Sequence, residues 1–248
     1  RLYRTGERVL DVGCGFGDTT IRIAGEVGPT GLAVGVDCAE NFVRASEQDA
    51  LTSGVRNASF FAADVQMDDL RGPYDQAFAR FGTMFFNLPG AALRNIRMAL
   101  KPGGALNQIV WRKREDNPWL HEAELRVREI VPVKSHEEAN EVHCGPGPFS
   151  MSGPDMVSSM MRSAGFEGIT FERFDTDICI GRDLDEAVEF AMALGPAGEI
   201  IRLAGPEGEE LKPQVVVALR ETLSRYAGTN GVWAPSSTWF IAARNPNH

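Results

Sequence analysis

The chain has 248 residues, 43% of them hydrophobic and 24% charged, and a formal net charge of −9 at pH 7. This composition is typical of a soluble globular protein, and the length suits one α/β domain with an insertion. The acidic balance, without any run of five basic residues, argues against a nucleic-acid partner. No apolar run approaches the ~20 residues of a membrane span. Four cysteines without a Cys-x-x-Cys spacing and four histidines favour a reducing, cytoplasmic compartment and predict no metal site.

Strands and helices alternate along the first half of the chain. Short apolar segments bounded by glycine and proline alternate with amphipathic segments, which predicts an α/β fold with a doubly wound, mostly parallel sheet. The predicted strands are residues 8–12, 32–37, 58–63, 74–81 and 105–111, and the predicted helices are 19–27, 41–53 and 91–100. Lys101-Pro102-Gly103-Gly104 is expected to be a turn before the fifth strand. Ligands of such sheets bind outside the carboxyl ends of the strands.

The regular alternation stops after Trp111. Residues 112–152 are predicted to be a helical lid insertion, with a helix at 118–131 and the glycine- and proline-rich stretch 145–148. Further helices are predicted at 152–164, 183–194 and 207–226, and further strands at 169–180 and 237–244. We therefore expect a cofactor-binding core at 1–111, a lid at 112–152 and completion of the core at 153–248, within one structural domain. Because the chain begins only a few residues before the first strand, we also expect a further N-terminal segment.

An apolar strand runs directly into a glycine-dense turn near the start of the chain. The stretch reads Val9-Leu10-Asp11-Val12-Gly13-Cys14-Gly15-Phe16-Gly17 and is followed by a helix-like segment. Alternate glycines remove the Cβ atoms where the backbone must turn tightly and approach a ligand. The next helix presents free N–H groups and the positive end of its dipole to that ligand. The turn is therefore a candidate site for a nucleotide-like cofactor.

The spacing of the glycines discriminates between cofactors. A dinucleotide fingerprint, Gly-x-Gly-x-x-Gly, would place its third glycine at position 18, where the chain has Asp18. A carboxylate at that helix start would repel a pyrophosphate, and no Gly-Lys-Ser/Thr follows to make a P-loop. A phosphate-free cofactor with a positive centre fits better beside Asp11 and Asp18. S-adenosylmethionine (SAM), with its sulfonium, amino-acid tail, ribose and adenine, has these properties.

With Asp11, Gly13, Gly15 and Gly17, the chain resembles the class I SAM-dependent methyltransferases, whose first motif reads (Asp/Glu)-x-Gly-x-Gly-x-Gly. The resemblance implies a Rossmann-like fold with a seven-stranded sheet and an antiparallel last strand. It also implies that SAM is the cofactor and S-adenosylhomocysteine the product, and that Cys14 lies in the cofactor site with the motif residues.

Two acidic residues at later strand ends match the same family. Asp37 ends the second predicted strand, where one carboxylate can accept hydrogen bonds from both ribose hydroxyls; a helix N-cap is the alternative role. Asp64 follows the third strand, where it can accept from the adenine amino group while the Val65 N–H donates to a ring nitrogen. A turn-forming aspartate is the alternative at this position. Cys38 and Val65 would line the two faces of the adenine.

The segment after the fourth strand is expected to meet the methionine end of SAM. The backbone near Arg80 and Phe81 would accept hydrogen bonds from the SAM ammonium. Met84 and Phe85 would form an apolar wall for the methyl acceptor, with core packing as the alternative.

Further acceptor contacts are expected from Trp111, Trp119 and Phe149. A base is needed only when the acceptor is a hydroxyl or an acidic carbon, and His121 and His143 are the candidate catalytic residues. His136 is a weaker candidate in a charged run. For each histidine a solvated or packing role is the alternative.

The second half most closely resembles the quinone-biosynthesis-like and general small-molecule methyltransferases. The residues that carry this resemblance are Arg80-Phe81-Gly82, Trp111-Arg112, Asn117-Pro118-Trp119 and the stretch 145–149. The resemblance implies in-line methyl transfer to a small molecule, at oxygen or carbon rather than nitrogen, with most of the rate from proximity and alignment. The acceptor stays open between an apolar ring or polyketide-like metabolite and a polar sugar. A SAM-binding protein without methyl transfer, an oxidoreductase with a nucleotide cofactor, and assembly as a homodimer are the remaining alternatives.

Overall fold

Five strands alternate with three helices through the first 111 residues, in the predicted order. The computed structural model describes residues 2–132 and 146–247. The elements of the first half are β1 (Arg8–Val12), α1 (Asp18–Val27), β2 (Leu32–Asp37), α2 (Glu40–Thr52), β3 (Ala58–Ala62), β4 (Tyr74–Arg80), α3 (Pro89–Ala99) and β5 (Leu100–Trp111). Those of the second half are α4 (Pro118–Ile130), α5 (Pro154–Ser163), β6 (Glu167–Gly181), α6 (Leu184–Leu194), α7 (Pro196–Ala204), α8 (Pro206–Leu223), β7 (Ala227–Gly228) and β8 (Gly231–Arg244).

Proline marks the start of many of these helices. The helices α3, α4, α5, α7 and α8 each have a proline in their first turn. The missing N–H of proline is harmless there, because the first N–H groups of a helix have no partner within the helix, and its fixed φ already suits the helix. The start of α3 at Pro89 lies two residues before the predicted start.

The strands form one sheet in the order β3-β2-β1-β4-β5-β8-β6, with the two-residue strand β7 paired to β8. The pairs β1–β2, β2–β3, β1–β4 and β4–β5 are parallel. The last strand, β8, runs antiparallel to β5, since Gly104 pairs with Asn245 and Arg112 with Ser237. The prediction of a doubly wound, mostly parallel sheet with an antiparallel last strand is confirmed. The strand order reverses between β1 and β4, which is where such folds bind ligands.

Two predicted strand starts differ most from the structure. Lys101-Pro102-Gly103-Gly104 is an irregularity inside β5, because Tyr74 of β4 pairs with Leu100 while Gln76 pairs with Ala105. The three extra residues bulge out of the ladder, and Gly103 has the left-handed φ (75°) that this requires. The last strand begins at Gly231 and not at 237, although Pro235 lies inside it with its side chain exposed.

The chain divides into two units. The first unit contains residues 1–110, 144–172 and 239–248, and the second contains 111–143 and 173–238. In the first unit, α1 packs on β1 and β2 through Val9, Ile23, Ala24, Val27 and Ala33.

In the second unit, α4, α6, α7 and α8 pack against one another. Residues 173–238 therefore group with 111–143. The reason is that the apolar stripes of α4, α7 and α8 bury each other, a long-range choice that periodicity does not reveal. The predicted completion of the core by 153–248 stays a prediction. The lid function of 112–152 stays a prediction. None of the described helices is both long and apolar enough to cross a membrane.

Candidate functional site

The glycine loop lies between the carboxyl end of β1 and the start of α1, in the first unit. Gly13, Gly15 and Gly17 have φ values of 67°, 54° and 79°, so all three are left-handed. The N–H groups of Gly13 and Cys14 both donate to the carbonyl oxygen of Val36, at 2.8 and 3.1 Å. These bonds fix the loop to the neighbouring strand β2.

The three glycines have different neighbours. A Cβ atom on Gly17 would lie 2.7 Å from Ser46 Cβ and 2.8 Å from the ring of Phe60, so this glycine lets the loop pack closely against α2 and β3. A Cβ atom on Gly13 would lie 3.0 Å from the Cα of Gly82. A Cβ atom on Gly15 would meet nothing within 4 Å. Of the three loop glycines, therefore, Gly15 is the one that faces open space that a ligand could occupy.

Asp37 braces the loop from the end of β2. Its Oδ2 accepts from the Gly15 N–H at 3.0 Å, and its Oδ1 accepts from the Ala39 N–H at 3.0 Å. On the other side of the same glycine, the Ser46 hydroxyl donates to the Gly15 carbonyl oxygen at 2.9 Å. The neighbouring Cys38 is exposed, but the partial desolvation of its thiol, and then the Asp37 charge, raises the thiol pKa. The carboxylate that ends β2 thus sets the position of the glycine facing the open space.

Asp11 is buried beneath the loop. Its side chain is 1% exposed, and its Oδ2 accepts from the Thr20 hydroxyl at 2.6 Å. Burial raises the pKa of Asp11 to about 7, against the opposing effects of the Thr20 hydrogen bond and the Arg80 charge. Burial, and then the charge of Asp11, also raises the pKa of the Cys14 thiol, so Cys14 is a neutral packing residue.

Asp64 lies beyond the end of β3, in a network of polar contacts. Its Oδ1 accepts from the backbone N–H and the side-chain amide of Gln66, at 2.9 and 3.0 Å. The Gln66 side-chain oxygen accepts in turn from the Leu88 N–H at 2.5 Å. Val65 is buried and its carbonyl oxygen accepts from Asn95 at 2.8 Å. The segment after β3 is thereby tied to α3 and the loop before it.

The segment after β4 is strained next to the glycine loop. Phe81 has a φ of 59°, which is costly for a bulky side chain, and its N–H donates to the Ile109 carbonyl oxygen at 2.9 Å. Gly82 follows and touches Gly13 through the backbone. Arg80 forms a 2.5 Å ion pair with Asp18 at the start of α1. Strain of this kind persists where the surroundings fix it, and it is concentrated at functional sites.

The predicted apolar wall has one buried and one exposed member. Met84 is 1% exposed, whereas Phe85 is 48% exposed. The Met84 carbonyl oxygen accepts from the Ser150 hydroxyl at 2.7 Å and from the Gly147 N–H at 3.0 Å. Phe149, between those two donors in sequence, is half-buried. The segment 146–150 is therefore fastened to the loop after β4.

The remaining predicted acceptor residues belong to the second unit. Trp119 is fully buried, stacks on Phe190 at 5.7 Å between ring centroids, and donates from its Nε1 to the Ser236 hydroxyl at 3.1 Å. Trp111 is also buried and meets Trp119 edge-on at 6.4 Å. His121 is half-buried, and its Nδ1 has no hydrogen-bond partner among the described residues. His136 and His143 lie outside the described residues.

The structure thus brings Asp11, the loop glycines and Asp37 together with residues 80–82, at the carboxyl ends of the parallel strands. Three further residues near these strand ends were not predicted as site residues: Ser46, Gln66 and Gly82. Ser46 had a sequence signal, because a serine on the buried face of an amphipathic helix needs a hydrogen-bond partner. Gly82 had one as part of the Arg80-Phe81-Gly82 motif, whereas Gln66 had none, because its contact with Leu88 joins residues that are distant in sequence.

The charged residues at these strand ends indicate which class of cofactor the protein binds. The space beside Gly15 borders the glycine loop, and Asp11, Asp18 and Asp37 outnumber the nearby cation Arg80. Carboxylates oppose the pyrophosphate of NAD or FAD but suit a cationic, phosphate-free nucleoside such as SAM. Fold and site together are those of a class I, Rossmann-like SAM-dependent methyltransferase.

Comparison with known proteins gives the family. Residues 4–147 match the family described as a methyltransferase domain, and the chain belongs to that family. Demethylmenaquinone methyltransferase of Staphylococcus carnosus is 26% identical over 180 residues, covering 69% of this chain and 72% of the relative.

Solved structures are similar in fold. The YcgJ protein of Bacillus subtilis has a TM-score of 0.60 at 16% identity and covers all of this chain and 95% of its own. The [4+2]-cyclase SpnF has a TM-score of 0.57 at 20% identity, covering 100% of this chain and 77% of its own. At these identities the likeness concerns the fold alone.

Proposed function

We propose that this protein transfers the methyl group of SAM to a small apolar ring, at carbon or oxygen, and that the ring is a reduced quinone. The observation that carries the proposal is the sequence similarity to demethylmenaquinone methyltransferases across more than two thirds of both chains. The exposed Phe85, in the segment that follows β4, adds an apolar surface that a ring could contact. The reduced ring is the competent form, because its hydroxyl groups make the neighbouring ring carbon electron-rich.

The residues of the first unit would hold the cofactor. We assign Asp37 to the ribose hydroxyls, Asp64 and Val65 to the adenine edge, and Cys38 to one adenine face. Asp37 also holds the Gly15 N–H, so ribose binding and loop position would depend on one carboxylate. Each Asp37 oxygen has two lone pairs and can accept a ribose hydroxyl beside its backbone donor.

The methionine end of the cofactor would lie on the other side of the loop. We assign the carbonyl groups near Arg80 and Phe81 to the ammonium, with Gly13, Cys14 and Asp11 behind them. The strained φ of Phe81 supports this assignment, because it turns the backbone out of the strand at this point.

SAM supplies an already activated methyl group, so the protein has to align the acceptor and exclude water. Alignment alone can contribute about 7–11 kcal/mol to the barrier reduction. A new carbon–carbon or carbon–oxygen bond forms, the carbon–sulfur bond breaks, and one proton leaves the acceptor. His121 stays the predicted acceptor of this proton, on the chemistry of its imidazole. His143 is the second candidate for this role.

The test is a product assay with defined acceptors. The protein is incubated with SAM and a 2-unsubstituted naphthohydroquinone, a catechol, a sugar or an amine, and S-adenosylhomocysteine and the acceptor mass are both measured. We expect stoichiometric S-adenosylhomocysteine and a methylated naphthohydroquinone. Methylation of the sugar or the amine alone would overturn the acceptor class. The variant Asp37→Ala should lose activity, whereas Asp49→Ala, at an exposed position of α2, should keep it.

A second candidate is SAM binding without methyl transfer. The similar fold of the [4+2]-cyclase SpnF favours keeping it, since the fold also carries a cyclisation in that protein. Tight SAM binding without S-adenosylhomocysteine release for any acceptor would support this candidate.

A further inference from the structure

The strand β6 lies at the end of the sheet. In the strand order its outer side pairs with no other described strand, and residues 172–177 in its middle are exposed. An exposed strand edge presents unpaired N–H and C=O groups, which can pair with a strand of another chain. Many proteins avoid such pairing by placing charged side chains or proline along the edge.

The exposed part of β6 carries charges of both signs. Arg173 and Asp175 lie two positions apart on the same face and form an ion pair of 2.8 Å, with about half of each side chain exposed (53% and 52%). Phe174, on the opposite face, is 46% exposed. The inner side of the strand is fixed by β8, since the Ser237 hydroxyl donates to Asp175 at 2.5 Å and the Thr238 hydroxyl to the Phe174 carbonyl oxygen at 3.3 Å.

This pattern is self-complementary in one antiparallel register. When two copies pair about a two-fold axis through Phe174, each Arg173 lies opposite Asp175 of the other copy, and the two Phe174 rings face each other. A register centred one residue earlier places the two arginines opposite each other, and one centred a residue later does the same with the two aspartates. Opposite charges across a strand pair stabilise it and like charges destabilise it. Of these three registers, the order of the charges along the strand therefore favours the one centred on Phe174.

We propose that a second copy of this chain docks on β6 in this register, which extends the sheet across an isologous two-fold interface. The inference concerns assembly and is independent of the proposed methyl acceptor. Because the edge carries both Arg173 and Asp175, it pairs more favourably with an antiparallel copy of itself than with a strand whose charges all have one sign.

Charge exchange tests the register. Sedimentation velocity over a range of concentrations should show a dimer whose dissociation constant rises about tenfold or more in Arg173→Asp, which places aspartate opposite aspartate. The double variant Arg173→Asp/Asp175→Arg should recover the wild-type value. Arg22→Asp, which alters an equally charged and exposed residue of α1, should leave it unchanged. A monomer at every concentration, or a dimer that the single variant does not weaken, would overturn the proposal.

A cysteine cross-link tests the axis directly. In the proposed register residue 174 faces its own copy, at a Cα separation that a disulfide can bridge. Phe174→Cys should therefore give an oxidised dimer that wild type, with its own four cysteines, does not give. Thr176→Cys should not, because the two copies of residue 176 would lie about 14 Å apart along the strands. Equal cross-linking of both variants would contradict the register.

Discussion

The glycine loop of the first unit and the tryptophan pair of the second unit depend on different forces. The loop keeps its shape through left-handed backbone at Gly13, Gly15 and Gly17 and through hydrogen bonds to Val36 and Asp37. Trp111 and Trp119 are held by ring contacts and burial among helices. The glycine motif can therefore be recognised from the sequence, because its role depends on local backbone conformation. The role of a tryptophan cannot, because it depends on which residues pack against it.

The largest expected effect is a loss of stability in the second unit, where the tryptophans are packed. Trp119→Ala should lower the free energy of unfolding by about 3–5 kcal/mol, because it leaves a large cavity and removes the hydrogen bond that Trp119 donates to the Ser236 hydroxyl. Urea unfolding measures this loss, and calorimetric titration of the folded variant measures SAM affinity. We expect that affinity to be unchanged.

The matched control is Trp233→Ala, since Trp233 is 48% exposed on β8 and should contribute little. A loss of SAM affinity in Trp119→Ala at full folding would assign this ring to the ligand site and remove the contrast between the two regions.

Asp11 gives the loop a dependence on pH. Its pKa is raised from 3.8 to about 7 in the folded chain, so the folded state holds a proton that the unfolded state releases between these values. Its contribution to stability is complete below about pH 4 and is lost as the pH rises through about 7, in total on the order of 4 kcal/mol.

Asp11→Asn should remove this part of the pH dependence, because the amide oxygen still accepts from Thr20 and carries no charge. Unfolding free energies measured on both sides of neutral pH test it, with Asp49→Asn as the exposed control. A wild-type stability that does not fall with pH relative to Asp11→Asn would show that the buried carboxyl is ionised throughout.

Gly17 and Gly15 separate packing from ligand access within the loop. Gly17→Ala should cost about 2–4 kcal/mol of unfolding free energy, from its left-handed φ and from contacts under 3 Å with Ser46 and Phe60. Gly15→Ala should cost only about 1–2 kcal/mol, for the φ alone. Denaturant unfolding gives both values.

The SAM affinity of the same two variants completes the comparison. Measured per folded molecule, it should fall for Gly15→Ala, whose methyl group points into the open space. If Gly15→Ala bound SAM like wild type, the ligand would have to lie elsewhere.

The expected effect at Asp37 is on ligand binding. Asp37→Ala should weaken SAM binding by about 1–3 kcal/mol, because the ribose hydroxyls and the Gly15 N–H lose their acceptor. Asp37→Asn should weaken it less, since one oxygen remains. Calorimetric titration checks the order, and equal affinities of wild type and both variants would argue that Asp37 only braces the loop.

Much of the first unit could be predicted from the sequence, and several elements of the second could not. The helix α7 was missed because Gly195 and Gly205 frame it and its apolar stripe is short. The early start of β8 was missed because Pro235 argues against a strand, although its exposed position tolerates it. His121 could be proposed as a base from its chemistry, but the absence of a partner for its Nδ1 required coordinates.

The sequence by itself determined the alternation of strands and helices and the cofactor loop. Each of these follows from local rules: side-chain periodicity, the φ freedom of glycine and the charge of Asp18 at a helix start. Tertiary structure alone decided that Gly15 faces open space while Gly17 faces Ser46, and that Trp119 is core. It also placed Arg173 and Asp175 on the open edge of the sheet. The physical reason is that burial and partner choice depend on residues far away in sequence, which no local pattern specifies.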